Sequence, residues 1–131
     1  MNNKLDKILA EISAGELIDK ITILEIKKEK IDDSVKLKDV EKELFSLRNT
    51  YANSIKDTSK IASLVDKLKS VNLMLWDIEN GKRLAEKNND FGDNFVGLSR
   101  SVYKTNDERS RIKLEINNIL GSNIKEVKSH Y

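Results

Sequence analysis

No proline occurs anywhere in this 131-residue chain, and glycine occurs only five times. These two residues break helices and shape tight turns, and an all-β domain needs many such turns. A chain nearly without them is left with long, uninterrupted helices, and its apolar pattern agrees. Leu37, Val40, Leu44, Leu47 and Tyr51 recur at three- and four-residue intervals between Lys, Glu and Asp, which predicts a helix over 35–55. Ile61, Leu64, Val65, Leu68, Val71, Leu75 and Ile78, backed by Trp76 and Leu84, predict another over 61–87 that absorbs Gly81. Between the two, Asp57-Thr58-Ser59 offers three N-cap residues and reads as a helical hairpin, with one continuous helix as the competing reading.

Ser13 and Glu16 have capping-box spacing, Gly15 easing the turn between them, and open a first helix over 15–30. Leu17, Ile21, Leu24 and Ile31 share one side of it, while Ile18, Ile23 and Ile26 point elsewhere. A helix apolar nearly all round must be covered on several sides, so this one is central or lies in an interface. Asn88-Asn89-Asp90-Phe91-Gly92 is a loop; Asp93 caps a fourth helix, and Gly121 closes it. The fold expected is all-α, an elongated antiparallel bundle of about four long helices forming a single domain over 1–131. A short amphipathic segment (1–12) carries Leu5, Ile8, Leu9 and Ile12 at helical spacing, and a loose tail spans 122–131.

Several chemistries are excluded by composition. The chain has no cysteine, which removes thiol catalysis, disulfides and the common zinc sites. Its only histidine, His130, is next to last and reads as frayed rather than catalytic. The glycines are too scattered for a phosphate-cradling loop. Glu25 with Glu29, and Asp39 with Glu43, have the i,i+4 spacing of solvated helix faces, so neither a metal nor a cofactor is expected. Charge nearly cancels, 24 basic against 22 acidic side chains, and alternates along the chain, which argues against a nucleic-acid partner. No apolar run is long enough for a membrane span, and a cytoplasmic protein is expected.

One anomaly stands out. In the fourth helix the heptad seam reads Phe95, Leu98, Val102, Thr105, Arg109, Ile112, Ile116, Ile119. Thr105 and Arg109 thus occupy apolar positions, with Tyr103, Asn106 and Lys113 beside them. An arginine in a seam is costly unless a carboxylate meets it, and Asp19 and Glu25 of the first helix are the candidates. Either this is a buried ion pair that fixes helix register, or Arg109 is a fork for a ligand carboxylate or phosphate, oriented by Asn106 and Tyr103. A third view makes Thr105-x-x-Glu108 a capping box that breaks the helix there. Asn72 and Trp76 on the third helix are core residues or line the same polar cavity.

Three segments around these residues, Ser13-Ala14-Gly15-Glu16-Leu17-Ile18-Asp19-Lys20-Ile21-Thr22-Ile23-Leu24-Glu25-Ile26-Lys27, Asn72–Glu79 and Ser101–Arg109, resemble recurring blocks of an uncharacterised family of small bacterial proteins. The resemblance implies no defined activity; it implies only a loose association with cell-surface polysaccharide genes. The expectation is a non-enzymatic helical protein that forms a homodimer or higher oligomer and binds a protein partner, such as a glycan-biosynthesis enzyme. The alternative is a small helical enzyme or sensor binding an anionic metabolite near Arg109.

Overall fold

The computed structural model describes residues 4–128. They form four helices, α1 (Ala14–Lys30), α2 (Ser34–Ser54), α3 (Ala62–Lys87) and α4 (Asp93–Leu120), with no strand among the described residues. No helix among them is long and apolar enough to cross a membrane. His130 and the last residues of the tail lie outside the described residues.

Local chemistry sets the helix ends. Ser13 accepts from the Glu16 amide at 3.0 Å and caps α1. Asp33 caps α2 by accepting from Val35 and Lys36, at 2.9 and 3.2 Å. The α2–α3 connection is a hairpin, but none of its expected caps takes that role. The Asp57 carboxylate instead closes a turn with the Ser59 amide at 3.0 Å, and α3 starts behind Ile61 without a side-chain cap. Likewise Gly92, not Asp93, holds the N-cap position of α4, and Asp93 lies in the first turn, where a negative charge meets the positive helix end. Gly121 adopts the left-handed conformation (φ 63°) that ends α4. α4 runs unbroken through Thr105, so the helix-breaking reading of that residue is overturned.

The all-round apolar α1 is central: α2, α3 and α4 all pack on it, and the α2 backbone approaches no other helix. Toward α2, Leu24 meets Val40 and Leu44. On another side Ile18 joins Ile61, Leu64, Leu68, Val71, Ile112 and Ile116 in the larger apolar cluster. Neither cluster contains a residue between Leu75 and Ile112. The far part of the α3–α4 hairpin is therefore a pair of helices holding each other, and its seam residues Phe95, Leu98 and Val102 are only half-buried. Leu84 is exposed, and so is Ile119, where the seam gives way to a buried Asn117.

The N-terminal segment departs from its spacing. Residues 4–13 form no helix, and Leu5, Ile8 and Leu9 are 78%, 83% and 88% exposed. Apolar residues at three- and four-residue spacing make a helix amphipathic but do not make a short one stable without a face to bury against. Residues 122–128 of the C-terminal segment, expected to be loose, are tied to the start of α1 and to α4. Ala14 donates to Ser122 Oγ at 3.0 Å, Ser13 Oγ donates to Glu126 at 2.6 Å, and Lys128 pairs with Asp107 at 2.9 Å.

Gly15 has a different role from the expected one. It lies inside α1, where its amide donates to Asn117 Oδ1 at 2.6 Å, and a Cβ there would stand 2.6 Å from the Lys113 carbonyl oxygen. The bare backbone is what lets α1 and α4 approach. Gly15→Ala should therefore cost about 1–3 kcal/mol through overpacking against a backbone that cannot yield. Gly97, a helical glycine with open space around it, gives the control: Gly97→Ala should stabilise by about 0.5–1 kcal/mol. Urea unfolding midpoints of the two variants check both signs.

Candidate functional site

Asp19 has no exposed surface, in the middle of the central helix. A buried carboxylate is tolerated only when its oxygens meet donors or cations, and three helices supply them. From α3, Asn72 Nδ2 donates to Asp19 Oδ1 at 2.9 Å and to Thr22 Oγ1, also at 2.9 Å. From α4, Arg109 takes Asp19 side-on, Nε donating to Oδ1 at 2.9 Å and Nη2 to Oδ2. Lys113, one turn further along α4, lies 3.8 Å from Oδ2 and pairs with Glu16. Thr22 closes the set by donating to the Asp19 carbonyl at 2.8 Å.

The seam arginine of α4 is thus a buried-pair residue, and its fork is already filled from inside the chain. Burial pushes the Asp19 carboxyl upward, but the Arg109 and Asn72 hydrogen bonds, with the charges of Arg109 and Lys113, outweigh it and hold the group below the ordinary carboxylate range. The hydrogen bond to Asp19 holds Arg109 above the usual arginine value, against the opposing effect of burial.

The other sequence candidates divide. Asn106 belongs to the site: its Oδ1 accepts from Arg109 Nη1 in a long contact of 3.4 Å. Trp76 lines a groove of about 460 Å³ between α1, α3 and α4, together with Asn72, Asn106 and Arg109. Glu25 does not belong; it points to another side of α1, accepting from Arg48 at 2.8 Å and lying 3.8 Å from Lys69. Tyr103, expected to orient a ligand, is 53% exposed and outside the groove. Four participants escaped the sequence reading of this cluster: Thr22, Glu16, Asn117 and Glu126. Thr22 had a signal, standing three residues after Asp19 in an otherwise apolar run. Asn117 had none, because its partner is a backbone amide exposed only by the missing side chain of Gly15.

The groove's inner wall has a definite polarity. A carboxylate only accepts, so Asn72 must turn its NH₂ toward Asp19. That leaves its Oδ1 as an acceptor in a residue only 5% exposed that borders the groove. A guanidinium only donates, so Asn106 must turn Oδ1 toward Arg109 and keep Nδ2 as a donor.

Compared with known proteins, residues 8–131 match a family described as "Family of unknown function (DUF6165)". The chain belongs to this family. No curated protein and no solved structure matches it. In this DUF6165 chain the three segments carrying the sequence resemblance meet in space. The first provides Asp19 and Thr22, the second Asn72 and Trp76, and the third Asn106 and Arg109.

Arg109→Ala strands a buried carboxylate and should cost about 3 kcal/mol, the low end for such pairs because Lys113 remains nearby. Replacing Asp19 and Arg109 together by apolar residues should recover much of that loss. The stability owed to the depressed Asp19 carboxyl is fully present above its unfolded value and is lost as pH falls below about 4. Asp19→Asn should therefore flatten the acid limb of a plot of urea midpoint against pH.

Proposed function

We propose that this protein is a non-enzymatic helical binding protein whose site is the groove between α1, α3 and α4, lined by Arg109, and that it takes a small anionic ligand there. The observation that carries this reading is the free acceptor of Asn72, a nearly buried amide whose orientation is dictated by Asp19 and which lines an open groove. Buried polar atoms normally find partners inside the protein. An acceptor kept for the groove, with a donor amide and an indole beside it, is the composition of a ligand pocket. Support for a non-enzymatic role comes from the hub itself. Its two carboxylates (Asp19 and Glu16), guanidinium and ammonium neutralise one another, and Asp19 is held ionised without exposed surface, a poor arrangement for moving protons.

Self-association or capture of a protein partner is a second reading, favoured by the exposed Leu5, Ile8 and Leu9. It draws little from α1, whose apolar residues other than the half-buried, groove-lining Ile23 pack within the chain. A bacterial origin and a place among cell-surface polysaccharide genes rest on the sequence resemblance alone.

A thermal-shift panel of nucleotides, sugar phosphates and dicarboxylates tests the binding reading. A ligand present at a hundred times its Kd stabilises the fold by about 2.7 kcal/mol. The exposed, groove-lining Asn80 offers a block away from the hub: Asn80→Trp should abolish the shift and leave the unliganded melting temperature nearly unchanged. If no compound shifts the wild-type protein, the proposal fails.

A further inference from the structure

We infer that the ligand is a hydroxylated ring bearing one anionic group, a sugar phosphate or a sugar acid, entering ring first. This rests on the groove being a binding site. At the inner wall, Asn72 offers only an acceptor, while Arg109 Nη1 and Asn106 Nδ2 offer donors. A carboxylate or phosphate placed there would face the Asn72 oxygen. An ammonium would face the Arg109 guanidinium. A hydroxyl satisfies both sides at once, donating to Asn72 and accepting from Arg109 or Asn106.

The next part of the wall is apolar. Trp76, Leu75 and Ile23 form a strip suited to the C–H face of a ring rather than to its polar edge. Beyond it the lining becomes charged. Asn72, Trp76, Asn80 and Arg83 follow one another along α3 at intervals of four, four and three residues, so they share one face from inner wall to mouth. Arg83 is exposed and makes no ion pair among the described residues, unlike Arg109. Because side chains on a helix lean toward its N-terminus, Arg83 leans back over the groove. It is the cation left for a ligand anion. Glu79 beside it is an acceptor for outer hydroxyls. From Asn72 to Asn80 the helix rises about 12 Å at 1.5 Å per residue, room for one sugar ring with its anionic substituent.

Trp76 is the only tryptophan in the chain, so its emission reports on this groove directly. The full chain is titrated with a hexose phosphate, a hexuronate, the neutral hexose, inorganic phosphate and a nucleoside monophosphate. The expected result is a saturable change with the hexose phosphate or the hexuronate, affinity about tenfold weaker for the neutral hexose, as loss of a charged hydrogen bond dictates, and none with inorganic phosphate. Arg83→Gln should erase the advantage of the charged sugar and leave neutral hexose binding unchanged. Inorganic phosphate binding as well as the hexose phosphate would overturn the inference, as would a preference for the nucleoside monophosphate or an Arg83→Gln variant without effect. A nucleoside monophosphate that perturbs Trp76 where the sugars do not, or a dicarboxylate that alone shifts the melting temperature, overturns the ligand class and keeps the groove as a binding site. Silence with every probe, and in the thermal-shift panel, overturns both.

Discussion

A carboxylate without exposed surface organises this protein. Once Asp19 is carried into the bundle by α1, its oxygens must be met inside, and water cannot help. The donors come from α3 and α4, so one side chain determines how the three helices face one another. Its influence then passes outward. Asn72 and Arg109 are each turned by what Asp19 accepts, and the atoms they have left over set the polarity of the groove.

Such a pair contributes less to stability than to register. Desolvating a carboxylate and a guanidinium costs about as much as their attraction returns, whereas separating them is expensive. Sliding α4 by one turn, about 5.4 Å, would leave Arg109 and Asp19 apart and bring Thr105 or Lys113 to the carboxylate, neither of which can grip both of its oxygens as a guanidinium does. The apolar clusters alone would resist that slide weakly, because isoleucines repeat along the seam. A second lock lies toward the N-terminal end of α1, where Gly15 rests against the α4 backbone and Asn117 accepts its amide. The tail adds to it through Ser122 and Glu126. The α3–α4 hairpin beyond Leu75 has no comparable tie to α1, and its half-buried seam reflects that.

Much of this was readable from the residues. The four helices follow from apolar periodicity and the absence of proline, and the Ser13 cap and the Gly121 stop are local chemistry confined to a few neighbouring residues. The seam anomaly at Arg109 was readable too, because a charge at a heptad position demands a partner wherever the helix ends up. Choosing Asp19 over Glu25 was not. Both stand on α1 at polar positions, and only the packing of α2 against the Leu24 side turns Glu25 toward Arg48. The N-terminal segment shows the opposite failure: Leu5, Ile8, Leu9 and Ile12 have helical spacing, yet residues 4–13 form no helix, since periodicity encodes a face and not the surface that would cover it.

By itself, then, the sequence determined what depends on near neighbours: helix positions, most of their ends, the all-round apolar character of α1, and an arginine that had to be neutralised. The tertiary structure alone decided which carboxylate does so, why Gly15 has no side chain, and which way the amide of Asn72 turns. Those outcomes depend on atoms brought together from residues 53 to 102 positions apart. At such separations the sequence spacing sets no distance; the packing of whole helices does.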